Sequence, residues 1–300
     1  MANTSQPAIV ANGLVKSFGS IHAVDHLSFD VREGEIFGLV GPDGAGKTTT
    51  LRMLAGVMPP DRGSATVAGI DVVHDPEGAK HYLSYMPQRF GLYEDLTVDE
   101  NIRFYADLFG VQKAERQQRS GQLLQAAGMS EFRTRLAGKL SGGMKQKLGL
   151  VCALIHRPKV ILLDEPTTGV DPVSRRDFWI ILRELVKNGI TVFVTTAYLD
   201  EAERCDRVGL MDRGRLIQCD TPEALKKNLP EVTWEVVGAD LRATREALRG
   251  RPGVLAVELA GASLHLFTDA HFTPEGLEAR IITPSIEDVF IAHIRRQNAA

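Results

Sequence analysis

The residues with the clearest chemical potential lie in one glycine-rich stretch. Gly41 to Thr48 reads GPDGAGKT, and it stands between the short apolar run EIFGLV and the helix-forming run TTTLRMLAGV. Glycines let consecutive backbone N–H groups turn towards one centre, where the N-terminal end of the following helix adds positive charge. In such a loop Lys47 reaches the β- and γ-phosphates and Thr48 offers its hydroxyl to Mg²⁺. We therefore expect a nucleotide to bind at Gly41, Pro42, Asp43, Gly44, Ala45, Gly46, Lys47, Thr48 and Thr49.

An acidic pair ends a second apolar run, ILLDEP, which covers Ile161 to Pro166. The carboxyl ends of parallel strands form the ligand-binding edge of an open sheet, and Asp164 would lie there. Asp164 can hold Mg²⁺ through water, and Glu165 is placed to polarise a water that attacks a γ-phosphate. Alone, the pair could equally cap a helix. Together with the loop at Gly41 it predicts a site for phosphoryl transfer.

A second pair of glycines occurs far from the first loop. LSGGMKQ, from Leu140 to Gln146, precedes the predicted helix MKQKLGLVCALI. The hydroxyl of Ser141 and the following helix N-terminus predict another place where an anion can bind. One nucleotide needs only one phosphate-binding loop, so two such surfaces in one chain suggest that two chains enclose each ATP.

With this segment the sequence resembles the ATP-binding cassette (ABC) family, from residue 5 to about residue 228. P-loop kinases and small GTPases lack LSGG. The resemblance implies that Phe18 stacks on adenine, and that Gln88 in YMPQ senses Mg²⁺ and nucleotide while its loop touches the transporter. It implies an ATPase with Glu165, Lys47 and Gln88 as catalytic residues and Mg²⁺ at Thr48, Gln88 and Asp164. It further assigns a signature that contacts the partner's nucleotide, Leu140, Ser141, Gly142, Gly143, Met144 and Gln146, and a D-loop containing Gly169 and Asp171.

One position departs from the family pattern. The family has a histidine after two threonines, where it would contact the γ-phosphate, but residues 195–198 read TTAY and place Ala197 there. Two interpretations stay open. Glu165, Lys47 and Mg²⁺ could suffice for hydrolysis, or the site could be slow or regulatory and work beside a second, unlike cassette.

More narrowly, GPDGAGKT, YMPQRFGLYEDLTVDEN and YLDEAERCDR resemble the ATPase subunits of bacterial ABC-2 type drug or organic-solvent exporters. TPSIEDVFI, from Thr283 to Ile291, resembles the closing helix of their small C-terminal domain, where such tails help to pair the ATPases. Packing of this helix onto its own sheet is the plainer alternative. The resemblance implies two partners: a separate multi-helix permease and a second ABC ATPase chain, identical or unlike. It places the chain in the cytoplasm, on the inner face of the cell membrane.

Elements in a definite order must position these residues. Apolar and polar residues alternate from Ile9 to about Val31, with a turn near Gly19, which predicts antiparallel strands at an edge. The apolar runs EIFGLV, VILLD and TVFVTT predict buried parallel strands. Residues 91–158 carry helical patterns, and Thr97 with Glu100 forms a capping box. The expected fold is α/β: a RecA-like P-loop NTPase core, an antiparallel β subdomain and an inserted helical subdomain within residues 1–229, and a small α+β domain at 230–300.

Composition excludes several other classes of protein. Of the 300 residues, 44% are hydrophobic and 24% charged, as in ordinary globular chains, and 35 Lys plus Arg against 38 Asp plus Glu give a net charge of −3. This balance argues against nucleic acid as a partner. Apolar runs fall short of the roughly 18 to 20 residues of a membrane-spanning helix, and the start MANTSQPAIV shows no secretion signal. Cys152, Cys205 and Cys219 have no metal-ligand spacing and are expected to be reduced.

The sequence thus predicts a subunit that binds and hydrolyses ATP to drive a separate membrane permease, with drugs, solvents or other amphipathic compounds as cargo. A soluble nucleotide switch is one alternative, and a non-hydrolysing cassette beside an active partner is another. The loop Arg89 to Leu96, with Phe90, Leu92 and Tyr93, is too apolar for a solvated connector and is the expected docking surface for the permease.

Overall fold

The computed structural model describes residues 7–299. Residues 1–6, which entered the argument against a secretion signal, lie outside the described part of the chain. The chain forms two compact units that divide between Thr221 and Pro222. Among residues 7–299, no helix combines the length and apolar character needed to cross a bilayer.

The first unit contains two sheets and a set of helices. Its strands are β1 (Ile9–Phe18), β2 (Ile21–Val31), β3 (Ile36–Val40), β4 (Arg62–Val67), β5 (Ile70–Asp71), β6 (Leu83–Met86), β7 (Val160–Asp164), β8 (Thr191–Thr196), β9 (Arg207–Asp212) and β10 (Arg215–Asp220). Its α-helices are α1 (Lys47–Leu54), α2 (Pro76–Ala79), α3 (Val98–Leu108), α4 (Lys113–Ala126), α5 (Gly142–Leu154), α6 (Pro172–Lys187) and α7 (Leu199–Ala202).

The larger sheet has six strands in the order β10-β9-β3-β8-β7-β6. All pairs are parallel except β9 with β10. Every residue of β3, β7 and β8 is buried, as expected for central strands covered on both faces. The predicted parallel core is confirmed, and it brings the ends of β3, β7 and β8 to one edge.

The smaller sheet has the order β2-β1-β4-β5, and its pairs are antiparallel. Phe29 of β2 stacks on Phe37 of β3 and Phe193 of β8, with ring centroids 5.4 and 5.7 Å apart. These rings belong to the hydrophobic core that the two sheets share. The antiparallel subdomain predicted for the first strands is therefore present.

Helices fill the segment between β6 and β7. Helices α3, α4 and α5, with 3₁₀ turns at Ser130–Phe132 and Ala137–Lys139, enclose their own apolar core. The predicted capping box at the start of α3 is confirmed, since Thr97 Oγ1 accepts from the Glu100 N–H and Glu100 Oε2 accepts from the Thr97 N–H. This core holds together a helical subdomain distinct from the parallel sheet.

The second unit is an antiparallel sheet with helices. It contains α8 (Pro222–Lys227), β11 (Val232–Val237), α9 (Leu241–Leu248), β12 (Val254–Ala260), β13 (Ser263–Thr268), β14 (Glu278–Ile281) and α10 (Ile286–Ala299), with the strand order β12-β13-β11-β14. Helix α8 contacts α10 and groups with this unit, whereas the sequence placed the domain boundary after residue 229. Asp288 and Ser285 cap α10, and Asp288 also contacts His265 of β13, so this closing helix packs onto its own sheet.

Candidate nucleotide-binding site

The glycine-rich loop connects β3 to α1, as the sequence predicts. Gly46 caps α1 with a φ of 105°, a left-handed conformation that favours glycine. A Cβ on Gly46 would lie 2.1 Å from the Ala23 carbonyl oxygen, and one on Gly41 would lie 2.1 Å from that of Met211. The first-turn N–H groups of α1 have no partner within the helix, so the loop offers a cradle of donors that only glycine permits.

Lys47 is buried against this loop and is fully engaged by acceptors. Its side chain is 4% exposed, and Nζ donates to the carbonyl oxygens of Gly41 at 2.8 Å and Pro42 at 3.0 Å. Nζ also lies 3.1 Å from Glu165 Oε1. A desolvated ammonium held in this way is a strong partner for phosphate oxygens, because charge-assisted bonds are stronger than neutral ones.

Asp164 ends β7 beside the start of α1 and the end of β8. Its Oδ1 accepts hydrogen bonds from Thr48 Oγ1 at 3.0 Å and Thr195 Oγ1 at 2.9 Å. A carboxylate next to a hydroxyl is the hard oxygen pair that Mg²⁺ prefers when substrate phosphates supply further ligands. Among residues 7–299 there is no cluster of three His, Cys, Asp or Glu side chains able to hold a metal ion. The residues therefore fit a phosphate-borne Mg²⁺ and not a metal held by protein alone.

Glu165 adopts a left-handed conformation with φ 45°, which is uncommon for a residue with a side chain. Its N–H is held by both oxygens of Thr195, the carbonyl at 3.1 Å and Oγ1 at 3.0 Å. Its Oε2 accepts from Gln88 Nε2 at 3.1 Å and from Thr168 Oγ1 at 3.4 Å. These contacts aim the carboxylate at the loop while Gln88 and Lys47 hold it from two sides.

Lys47, Thr48, Gln88 and Glu165 share one open pocket of about 480 Å³. It is lined by Phe18, Ala23, Asp43, Gly44, Gly46, Lys47, Thr48, Thr49, Gln88 and Glu165. The Phe18 ring is half exposed, with Lys16 Nζ 6.0 Å from its centroid. A flat apolar ring at a polar, cationic pocket is suited to stacking on a base. The structure thus brings together most residues of the predicted loop with Phe18, Gln88 and Glu165.

The LSGGMKQ segment lies outside this pocket, at the start of α5. Ser141 caps the helix and accepts from the Met144 N–H at 3.3 Å, while Ser141 and Gly142 are exposed. A Cβ on Gly143 would lie 2.5 Å from Ser174 Oγ, so α5 approaches α6 closely here. Leu140 is buried and Met144 half-buried against the helical core. The helix N-terminus is therefore exposed, and its residues do not line the pocket at the glycine-rich loop.

The GVD segment also lies outside the pocket. Gly169 has a φ of 74°, and Asp171 caps α6 by accepting from the N–H groups of Val173 at 3.1 Å and Ser174 at 2.9 Å. These hydrogen bonds, the one from Ser174 first, lower the pKa of Asp171. Within the single chain Asp171 thus acts as a helix cap.

Ala197 follows β8 and presents only a methyl group. The adjacent Tyr198 N–H donates to Thr196 Oγ1 at 3.0 Å, and the Arg175 guanidinium lies 4.2 Å from the Tyr198 ring centroid. His156 stacks on Phe109 with centroids 3.9 Å apart, and it does not line the pocket. No histidine in the described lining of the pocket replaces the missing side chain.

Sequence reasoning missed Thr195, the residue that orients both acids. Its hydroxyl donates to Asp164 and accepts from the Glu165 N–H, because β7 and β8 pair in register with Asp164 opposite Thr195. The available signal was a pair of threonines, Thr195 and Thr196, directly after the apolar run VFV. It became informative only once the two strands were known to be neighbours.

Comparison with known proteins identifies related chains. A family model for ABC transporters matches residues 24–168. The chain is 45% identical over 298 residues to the probable multidrug ABC transporter ATP-binding protein YbhF of Escherichia coli (strain K12), covering 94% of this chain and 51% of that protein. It thus spans about half the length of this relative. It is 39% identical over 278 residues to the daunorubicin/doxorubicin resistance ATP-binding protein DrrA of Streptomyces peucetius, covering 92% of this chain and 82% of that protein.

The fold has a close counterpart among solved structures. An ATP-binding subunit of an ABC transporter superposes with a TM-score of 0.66 at 29% sequence identity, covering 73% of this chain and 92% of that chain. The predicted α/β fold of a P-loop NTPase is therefore confirmed.

Proposed function

The chain belongs to the ABC transporter family of ATPases, and we propose that it hydrolyses ATP to drive a separate ABC-2 type membrane permease. The observation that carries the proposal is one pocket in which Lys47, Thr48, Gln88 and Glu165 meet. A cation, a hydroxyl next to a buried carboxylate, and a second carboxylate are what binding and hydrolysing a terminal phosphate require. None of the described residues that line the pocket carries a thiol.

In this proposal each side chain has a separate task. Lys47 binds phosphate oxygens, Thr48 and Asp164 would hold Mg²⁺, and Phe18 stacks on adenine. Mg²⁺ would supply charge neutralisation at the phosphates. Glu165 polarises the attacking water, whose oxygen bonds to the γ-phosphorus as the bond to the β,γ-bridging oxygen breaks. Gln88 positions the Glu165 carboxylate through its hydrogen bond.

A second ABC ATPase chain would complete the site. Ser141 and Gly142 face outward at a helix whose first turn contains no acidic residue, so this N-terminus is available to the nucleotide of another chain. Asp171 would lie next to that interface. A homodimer uses two equivalent sites, and a heterodimer pairs this site with one from an unlike chain.

The proposed docking surface for the permease differs in detail from the prediction. Phe90 and Leu92 are half-buried against the core of the helical subdomain, while Tyr93 remains exposed. Exposed apolar side chains nearby extend the surface: Val57, Tyr82, Phe104, Leu108 and Phe109. Of these, Val57, Leu108 and Phe109 line a small apolar groove of about 190 Å³ together with Tyr85 and Phe90. Phe104 packs edge-on against Tyr93, with ring centroids 4.6 Å apart. An uncovered apolar patch of this kind is typical of a protein interface.

The cargo and location are proposed from the relatives. Proteins described as multidrug and daunorubicin/doxorubicin resistance ATP-binding proteins are similar over more than nine tenths of this chain. We therefore assign drugs, solvents or other amphipathic compounds as cargo, and a cytoplasmic location at the membrane through the permease. The net charge of −3 gives no support to a nucleic-acid partner.

Ala197 favours a second candidate, a slow or regulatory cassette paired with an unlike, active one. A hydrogen bond lost from the transition state would cost roughly 2.7 to 4 kcal/mol, or about two to three decades in rate. Glu165 and Lys47 are both in place, so the first candidate is a working ATPase whose turnover is reduced.

One experiment separates these possibilities. The chain is co-expressed with a multi-helix membrane protein encoded beside it, and steady-state ATP hydrolysis by the purified complex is compared with that of the chain alone. Co-purification and stimulated hydrolysis support the proposal. Charge substitutions at Tyr93 and Leu108 should prevent co-purification while ATP binding persists, and unchanged co-purification would contradict the docking surface. A complex without hydrolysis supports the regulatory cassette.

A further inference from the structure

Glu201 is a fully buried carboxylate behind the switch segment, residues 196–198. It lies in α7, and its side chain has no exposed surface. Oε1 accepts a hydrogen bond from Thr167 Oγ1 at 2.7 Å, and Oε2 accepts one from Thr196 Oγ1 at 2.8 Å. Both threonines are themselves buried. The carboxylate therefore uses its two oxygens to hold two different segments of the chain.

These two segments are the ones that flank the chemistry. Thr167 follows Glu165 in the turn that leads to GVD, and its carbonyl oxygen accepts from the Val170 N–H at 3.1 Å. Thr196 directly precedes Ala197, and its hydroxyl also accepts from the Tyr198 N–H at 3.0 Å. Glu201 thus joins the turn after Glu165 to the switch segment, and it does so without lining the nucleotide pocket.

A third element reaches the same carboxylate. Arg175 of α6 places Nε 3.6 Å from Glu201 Oε1, and its guanidinium lies over the Tyr198 ring. This distance allows ion pairing without a hydrogen bond, and the Arg175 Nε–H has no hydrogen-bond partner among the described residues. The Arg175 backbone N–H donates to the Asp171 carbonyl oxygen at 2.9 Å, so these contacts extend from the switch segment to the start of α6.

A contribution to folding stability does not by itself explain why a charged side chain is buried at Glu201. Removing a carboxylate from water is costly, and a buried ion pair with imperfect geometry seldom recovers the whole cost. An apolar side chain would fill the same space without that cost. The presence of Glu201 is explained if the turn containing Thr167 and the switch segment containing Thr196 must keep a fixed geometry, because the carboxylate accepts a hydrogen bond from each.

We propose that Glu201 is a positioning residue for ATP hydrolysis, which holds the turn carrying Glu165 against the switch segment carrying Ala197. The inference rests on the proposed function. Ala197 has no side chain that could hold its segment against a phosphate. The hydrogen bond from Thr196 to Glu201, which lies outside the pocket, holds the segment in place instead. A misplacement of about 1 Å at a reacting group can cost about 100-fold in rate.

The test is the variant Glu201→Gln in the full chain, with ATP and Mg²⁺. An amide accepts on one oxygen only, so one threonine loses its acceptor while the shape of the side chain is kept. We expect kcat to fall by about 10- to 100-fold, with KM and ATP affinity changed by less than about threefold. The matched control is Glu203→Gln, the same change at an exposed position in the same segment, which should hydrolyse ATP at the wild-type rate.

A second pair of variants keeps the test valid if Glu201→Gln does not fold. Thr196→Ser keeps the hydroxyl and should retain near wild-type kcat, whereas Thr196→Val loses it and should reproduce the fall. In a Glu165→Gln background, Glu201→Gln should cause no further loss, because its effect acts through Glu165.

The outcomes separate the two proposals. Wild-type kcat in both Glu201→Gln and Thr196→Val, beside an active wild type, overturns the positioning role alone. A parallel loss of ATP affinity and kcat also overturns it, since that marks a structural defect. A wild type that neither binds nor hydrolyses ATP overturns the proposed function and this inference with it.

Discussion

Replacing Glu165 with glutamine should move ATP binding and ATP hydrolysis in opposite directions. Glu165 Oε1 lies 3.1 Å from Lys47 Nζ, and the two side chains are 12% and 4% exposed. The phosphates of ATP must therefore compete with this carboxylate for the ammonium group. Glutamine keeps the shape and one acceptor oxygen but removes the competing charge.

The size of the effect follows from this contact. Two unit charges 3.1 Å apart attract by about 5 kcal/mol at an effective dielectric constant of about 20. Most of that is offset by desolvation, and the net difference between a charged and a neutral hydrogen bond is about 1 to 1.5 kcal/mol. ATP should therefore bind about 5- to 13-fold more tightly to Glu165→Gln. Loss of the general base should lower kcat by about 10²- to 10⁴-fold.

The assay pairs an equilibrium titration with fluorescent ATP and a single-turnover measurement of hydrolysis, both at fixed Mg²⁺. Gel filtration with ATP should show a dimer for Glu165→Gln that wild type does not accumulate. Glu33→Gln, an exposed acid in the turn before β3, is the matched control and should change neither quantity. Weaker ATP binding by Glu165→Gln, or hydrolysis at the wild-type rate, would refute the competition argument.

Three further outcomes are expected. Lys47→Ala should weaken ATP binding by about 10- to 100-fold, from the loss of a charge-assisted contact worth about 1.5 to 3 kcal/mol, and equal titration curves for variant and wild type would contradict the site. Ala197→His should raise kcat by about 10-fold or more with little change in ATP affinity, and a fast wild type that the histidine does not improve would show that another group contacts the γ-phosphate. Burial raises the pKa of the thiols of Cys152, Cys205 and Cys219. A thiol reagent at pH 8 should therefore modify them far more slowly in the native chain than in denaturant. Rapid modification of the native chain would contradict their placement.

Much of the fold could be predicted because short stretches of the sequence show which segments form buried strands and where helices begin. Strand β3, and β7 up to Asp164, are apolar, and β8 contains the apolar run VFV. All their residues are buried, as expected for strands covered on both faces. The strand, glycine loop and helix at the phosphate-binding site occur in immediate succession, so their geometry follows from the local sequence. The capping box before α3 was equally local.

Other elements could not be predicted, because neighbours in space decide them. β6, LSYM, has four residues and contains a serine and a tyrosine, and it becomes a strand by pairing with β7. β4 and β9 were also missed, and each is ordered by its partner strand. Phe90 and Leu92 illustrate the same limit, because the sequence shows that they are apolar but not which side of the loop faces the helical core.

The arrangement of the site explains why a metal-bound triphosphate suits it better than a smaller phosphate compound. In the single chain the functional groups satisfy one another: Lys47 is paired with Glu165, and Thr48 donates to Asp164. A ligand must replace both contacts, because an acid left buried without a partner is costly. In the proposed function the γ-phosphate would take the place of Glu165 at Lys47, and Thr48 and Asp164 would hold Mg²⁺, which would neutralise phosphate charge. A nucleoside monophosphate would bring neither group to these positions, so the contacts of Lys47 with Glu165 and of Thr48 with Asp164 would favour ATP over smaller phosphate compounds.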